Sequence, residues 1–257
     1  MNIDQRAVHL ASVKGFRRQP NGQWDYLIEP QAGLAYLRVS SFHEQTAQEF
    51  DLALDQLCQQ GVAGLILDLR FNPGGSLRAA VAMTDRLVDH GLILSTVTRH
   101  QAVDRYEAHP QHTTLRVPMA VLVNGSSASA SEIVSGALQD HDRAVIVGTR
   151  TFGKGVVQNV VDLASRSAAI SLTVAHYRLP SGRIIHKTNG NADTDAWGVQ
   201  PDVVIELSPE QAEAIQKQRS LVDQWVAVSD IPSPAVLIDG QLAKAIQVVQ
   251  KRIRATR

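Results

Sequence analysis

Four runs of the chain are apolar almost throughout and short enough to be strands: Gly33–Val39, Gly64–Arg70, Pro118–Val123 and Arg143–Gly148. Nearly continuous apolar runs of this length belong to strands covered on both faces, as in parallel sheets. Within His43–Gly61 the residues Phe50, Leu52, Ala53, Leu57 and Cys58 fall roughly three and four apart, which predicts an amphipathic helix. Helical patterns also run over Leu77–Leu87 and Ser131–Gln139, so strand and helix alternate as in crossover units. Val156–Val161 and Ala168–Tyr177 read as further strands, followed by a turn at Leu179–Arg183, and the polar stretch Gly15–Trp24 reads as a hairpin. After a strand at Val203–Leu207, Ser208-Pro209-Glu210 marks a helix start, Asp230–Pro234 breaks the pattern, and a last helix covers Gln241–Arg252. The expectation is an α/β fold with a small N-terminal β/turn segment (1–32), a core (33–207) and a C-terminal helical segment (208–257).

Composition narrows the classes of function. With 257 residues and 44% hydrophobic content, the chain can bury a substantial core. Lys plus Arg and Asp plus Glu both number 25, so no net field draws it to nucleic acid or to an anionic membrane. No apolar run reaches the ~20 residues of a membrane span, and Met1–Leu10 lacks the apolar stretch of a signal peptide. The single cysteine, Cys58, lies on a helical pattern with nothing local to activate it. Among the nine histidines His109 and His112 are close, but Pro110 breaks the helix that a His-x-x-x-His site would use, so a surface loop without metal is expected.

Two stretches carry candidate chemistry. Ser129-Ala130-Ser131-Glu132 fits a capping box, in which a hydroxyl and a carboxylate satisfy orphan amides at a helix start. The same position suits a nucleophile, because free amides and the positive end of the helix dipole lie where an oxyanion would form. Ser126, Ser127 and Ser131 compete with Ser129 for that role. Lys154 stands between Gly153 and Gly155, with Phe152, Val156 and Val157 as apolar neighbours. A desolvated amine gives up its proton more readily, and only a neutral amine can serve as base. Gly148–Lys154 also matches the body of a phosphate-binding loop, but Gly155 replaces the required Ser or Thr and a strand follows instead of a helix. The loop Asn72-Pro73-Gly74-Gly75 follows a buried strand, where paired glycines can turn amides toward a carbonyl oxygen.

In order, Tyr36–Phe42, Leu65–Gly75, Val121–Ile133, Gly136–Asp140, Gly148–Gly155 and Gly198–Val203 resemble the motifs of the carboxy-terminal processing (tail-specific) proteases, serine peptidases with a Ser-Lys dyad. The resemblance covers roughly residues 33–207. It implies a core of the crotonase and Clp-protease type built from repeated β-β-α units. It also implies Ser129 as nucleophile, Lys154 as general base, Gln158 as the residue that orients the lysine, Gly75 and Ala130 as oxyanion donors, and Asp140 as a supporting acid. Four residues along a strand would put Lys154 and Gln158 on one face. The implied activity is serine endopeptidase cleavage of extended or unfolded polypeptides, those near C-termini included, with no metal or organic cofactor. The rival is a peptide-binding or scaffold protein with a silent or partner-dependent dyad; the partners considered are a polypeptide substrate, an oligomer and a substrate-delivering protein. Such proteases usually carry a PDZ domain ahead of the core, for which the residues before Gly33 are too few. They are generally exported, so an extracytoplasmic location is implied, although no export signal is present.

Overall fold

The computed structural model describes residues 11–98, 102–162, 169–192, 194, 196–224 and 239–255. The chain start and the Asp230–Pro234 break lie outside these residues, as does Ala168. In chain order the elements are β1 (Val13–Lys14), β2 (Arg17–Arg18), β3 (Trp24–Asp25), β4 (Leu27–Glu29), β5 (Leu34–Val39), α1 (Thr46–Gln59), β6 (Gly64–Asp68) and α2 (Leu77–Asp85). There follow β7 (Gly91–Val97), β8 (Ala102–Ala108), β9 (Met119–Val123), α3 (Ala130–Asp140), β10 (Val145–Gly148), β11 (Val156–Asp162), β12 (Ala169–Arg178), β13 (Val203–Val204), α4 (Pro209–Asp223) and α5 (Gly240–Ala255).

The apolar runs form one sheet in the order β1-β5-β6-β9-β10-β13, parallel from β5 onward, with β1 and β4 both antiparallel to β5. Alternate side chains of its strands go to opposite faces. Leu37, Leu65, Leu67 and Val121 pack with Phe50, Met83 and Ile133 from α1, α2 and α3. Leu34, Tyr36, Ile66, Leu122 and Val147 pack with Ala245 and Val249 of α5. Both faces are therefore covered, which accounts for the absence of alternation in these strands. Gly64 lets α5 approach closely: a Cβ there would sit 2.4 Å from Val249 Cγ1. The expected C-terminal helices are present as α4 and α5, and α5 roofs the sheet.

The second sheet runs β11-β12-β7-β8, antiparallel throughout. The β7–β8 hairpin has no counterpart in the sequence reading. Its β8 is an edge strand carrying exposed Asp104, Arg105 and Glu107, so it lacks the apolar signature and reads as a loop. The three loops that carry Gly75, Ser129 and Lys154 follow the carboxyl ends of β6, β9 and β10, where open parallel sheets usually hold ligands.

Candidate active site

Ser129 is the residue before α3, half-buried, with φ 55° and ψ −112°. A non-glycine residue held at positive φ costs about 1–3 kcal/mol, and such strain persists only where the surroundings enforce it. Of the other serines nearby, Ser127 is buried with its hydroxyl donating to Leu69 O at 2.8 Å, and Ser131 is buried with its hydroxyl donating to Asn72 O at 2.9 Å. Ser126 is exposed in the turn.

The Phe71–Gly75 segment packs directly on Ser129. A Cβ on Gly74 would lie 2.6 Å from Ala128 O and 2.8 Å from Ser129 Cβ. Buried Asn72 holds this loop by donating to Val39 O at 2.8 Å and accepting the Gly74 N–H at 2.9 Å. The Gly74 amide is therefore committed within the loop. Around Gly75, Phe42 N–H donates to Gly74 O at 3.0 Å and Phe42 O accepts from Ser76 N–H at 2.8 Å, so the Gly75 amide is spared from that pairing. Gly75 has φ 139°, and a Cβ there would fall 2.1 Å from Phe42 O. Gly75→Ala is accordingly expected to cost about 1–3 kcal/mol, read as a lower melting temperature; an unchanged melt would show that the loop can shift freely.

Glu132 joins the two candidate stretches. Of the expected capping box the carboxylate half is formed, Glu132 Oε2 accepting the Ser129 N–H at 2.8 Å, while the Glu132 N–H donates to the Ser129 backbone carbonyl at 2.9 Å. Oε2 also accepts the Lys154 N–H at 2.8 Å, so the backbone nitrogens of Ser129 and Lys154 lie no further apart than twice that distance. Oε1 accepts the Gly153 N–H at 2.7 Å and the Thr151 hydroxyl at 2.5 Å. Burial pushes the Glu132 carboxyl up, while the four hydrogen bonds pull it back toward the charged form. Thr151 extends the link, accepting the Val199 N–H at 2.7 Å.

The peptidase family S41 model matches residues 33–205. The chain belongs to peptidase family S41. It is 42% identical over 186 residues to the carboxy-terminal-processing protease of Bartonella bacilliformis, covering 70% of this chain and 40% of that protein. It is likewise 42% identical over 177 residues to the carboxyl-terminal-processing protease of a Synechocystis species, covering 69% and 39%. The solved photosystem II D1 C-terminal processing protease superposes with a TM-score of 0.61 at 35% identity, over 77% of this chain and 47% of that one. The chain thus spans about two fifths of the length of the curated relatives it matches.

Within this S41 core, the structure changes the surroundings expected for Lys154. Its side chain is exposed and Phe152 is 57% exposed, so the apolar shield is limited to buried Val156 and half-buried Val157. A cleft of about 540 Å³ opens beside Lys154, walled by Phe152, His186, Lys187 and Trp197. The Trp197 ring is flanked by the Lys187 amine at 4.1 Å and the Arg150 guanidinium at 4.6 Å. The alternation argument for Gln158 does not hold: Lys154 precedes β11, and the β11–β12 register shifts between Val157 and Gln158. Gln158 is exposed, and among the described residues no hydrogen bond joins it to Lys154. Asp140 lies at the opposite end of α3 from Ser129, about 15 Å along the helix. There it pairs with Arg183 at 2.9 Å and accepts the Ser181 N–H at 2.9 Å, fixing the turn after β12.

Glu132 is the residue that sequence reasoning undervalued, because its spacing from Ser129 signals only a cap. Nothing local shows that its carboxylate also reaches Thr151, Gly153 and Lys154. Glu132→Gln keeps the volume but turns an amide NH2 toward N–H donors. It is expected to lower kcat by about 10²-fold with KM little changed, as for a small misplacement of reacting groups. Peptide-cleavage kinetics decide this, and an unaltered kcat would mean that the link is dispensable.

Proposed function

We propose that this S41 core is a serine endopeptidase in which neutral Lys154 takes the proton of the Ser129 hydroxyl as it attacks a peptide carbonyl. The amides of Gly75 and Ala130 receive the oxyanion, and Gln158 steers the lysine once substrate is in place. Lys154 then protonates the leaving amine, and water releases the acyl group from Ser129. The observation that carries this reading is the single carboxylate oxygen of Glu132 that accepts from the backbones of both Ser129 and Lys154. Substrates are extended or unfolded segments near protein C-termini, in keeping with the names of the relatives. Digestion of an unfolded polypeptide by the purified chain, with mass spectrometry of the fragments, tests the activity. Covalent labelling by a serine-directed phosphonate, located by peptide mapping, tests the nucleophile. Binding of the polypeptide without cleavage, together with no label on Ser129, would instead support a binding protein.

A further inference from the structure

A cluster of ligating groups lies apart from the Ser129–Lys154 cleft, where the end of α2 meets the short 3-10 turn Pro110–His112. Asp85, the last residue of α2, has a side chain only 14% exposed, and its Oδ1 accepts the His109 backbone N–H at 2.6 Å. That anchor leaves Oδ2 facing two imidazoles, 2.6 Å from His112 Nδ1 and 3.4 Å from His109 Nδ1. The two rings are 5.2 Å apart between centroids and about half exposed. One ligand atom from each of the three residues lies within 4.8 Å of the others. A tetrahedral Zn²⁺ with ordinary bonds to nitrogen and oxygen separates its ligands by ~3.3 Å, and the two carboxylate–imidazole distances bracket that span.

We propose that Asp85, His109 and His112 form a binding site for a divalent transition-metal ion of the zinc type, with water completing the shell. Two imidazoles and one carboxylate suit Zn²⁺, Ni²⁺ or Cu²⁺; Mg²⁺ and Ca²⁺ prefer all-oxygen shells. The ligands are held in place before any ion arrives. The bond from His109 N–H to Oδ1 fixes the carboxylate plane, as outer hydrogen bonds do in metal centres. Pro110 starts the turn, and the Thr114 N–H donates to Arg86 O at 3.0 Å, tying the connection after the turn to the end of α2. The nearby Arg86 guanidinium is neutralised by two hydrogen bonds to Asp51 at 2.7 and 2.8 Å. A bound ion staples the connection between β8 and β9 onto α2, and the proposed peptidase chemistry needs no part of it.

The site is invisible to sequence spacing, because Asp85 is 24 residues from His109 and reaches it only through the fold. The test titrates Zn²⁺ into chelator-treated protein against a chromophoric chelator, with Co²⁺ absorption as a second readout. The expected result is one Zn²⁺ per chain, Co²⁺ bands typical of nitrogen and oxygen ligation, and no competition from Mg²⁺. A melting temperature about 5–10 °C higher is expected with Zn²⁺ ~100-fold above Kd. His109→Ala and His112→Ala should each weaken binding by at least about tenfold, and the double variant should lose it while its circular dichroism is unchanged. Undiminished binding in the double variant, or no stoichiometric binding by the wild type, overturns the site.

Discussion

Ser129→Ala is expected to reduce kcat for an unfolded polypeptide by about 10⁶-fold, the scale on which loss of the nucleophile acts in a serine protease. Folding should be spared, because the strained backbone at Ser129 is enforced by the Glu132 carboxylate and the Gly74 contact, neither of which needs the hydroxyl. Lys154→Arg is the sharper companion. Arginine keeps the charge and the length but stays protonated at every accessible pH, so it cannot take a proton from serine. The variant should fold as the wild type does and lose turnover almost as completely. Among the basic groups lining the cleft is His186, whose imidazole is pushed down by burial together with His176, so it is neutral near pH 7. His186→Ala must therefore retain activity for the lysine assignment to stand. Cleavage that survives Ser129→Ala, or equal rates for wild type and Lys154→Arg, would sink the mechanism.

The central sheet was legible because β5, β6, β9 and β10 are each buried on both faces, which leaves nearly unbroken apolar runs in the sequence. The helices α1 and α2 were legible from the spacing of Phe50, Ala53 and Leu57 and of Ala80 and Met83, all of which face the same core. The β7–β8 hairpin was not, since exposed Asp104, Arg105 and Glu107 leave only Tyr106 and Ala108 of β8 to face the core, too few to mark a strand. At the site, Ser129 could be placed at a helix start, but local pattern left it level with three other serines. The fold separates them by giving Ser127 and Ser131 carbonyl partners. The reach of Glu132 to Thr151, Gly153 and Lys154 and the link of Asp85 to His109 and His112 went unread for a common reason: each joins residues about twenty or more positions apart. Strand periodicity, in turn, could not relate Lys154 to Gln158, because the lysine sits in a glycine-flanked segment before the strand begins.

Asp68→Asn is expected to destabilise the fold by about 3–5 kcal/mol, the usual cost of breaking a buried ion pair from one side. Asp68 is fully buried at the end of β6. It accepts hydrogen bonds from Arg70 Nη2 at 2.7 Å, from the Tyr36 hydroxyl at 2.8 Å and from Arg219 of α4. Arg70, itself buried, continues to Asp239 through two bonds of 2.8 Å, and Asp239 in turn accepts the Leu242 N–H at the start of α5. One carboxylate thus binds both C-terminal helices to the strand that leads into the Phe71–Gly75 loop. Burial alone would raise the Asp68 carboxyl, but Arg219 and Arg70 outweigh it and hold it well below the ordinary carboxylate range. A depressed carboxyl contributes stability that is fully present above the unfolded value, near pH ~4, and is lost as pH falls through the folded value. The difference between wild type and Asp68→Asn should therefore be constant near neutrality and narrow only in strong acid. Thermal unfolding followed by circular dichroism at pH 7 should show a melting temperature lower by about 6–20 °C in a chain of this size. Paired with Arg219→Met in a double-mutant cycle, the loss should be strongly non-additive, because removal of either partner already strands the other. Additive losses, or a melt unchanged at pH 7, would mean that hydrophobic packing alone holds α4 and α5 against the sheet. In that case the loop carrying Gly75 would be positioned by Asn72 and its hydrogen bonds to Val39 and Gly74, and Asp68→Asn would leave peptide cleavage untouched.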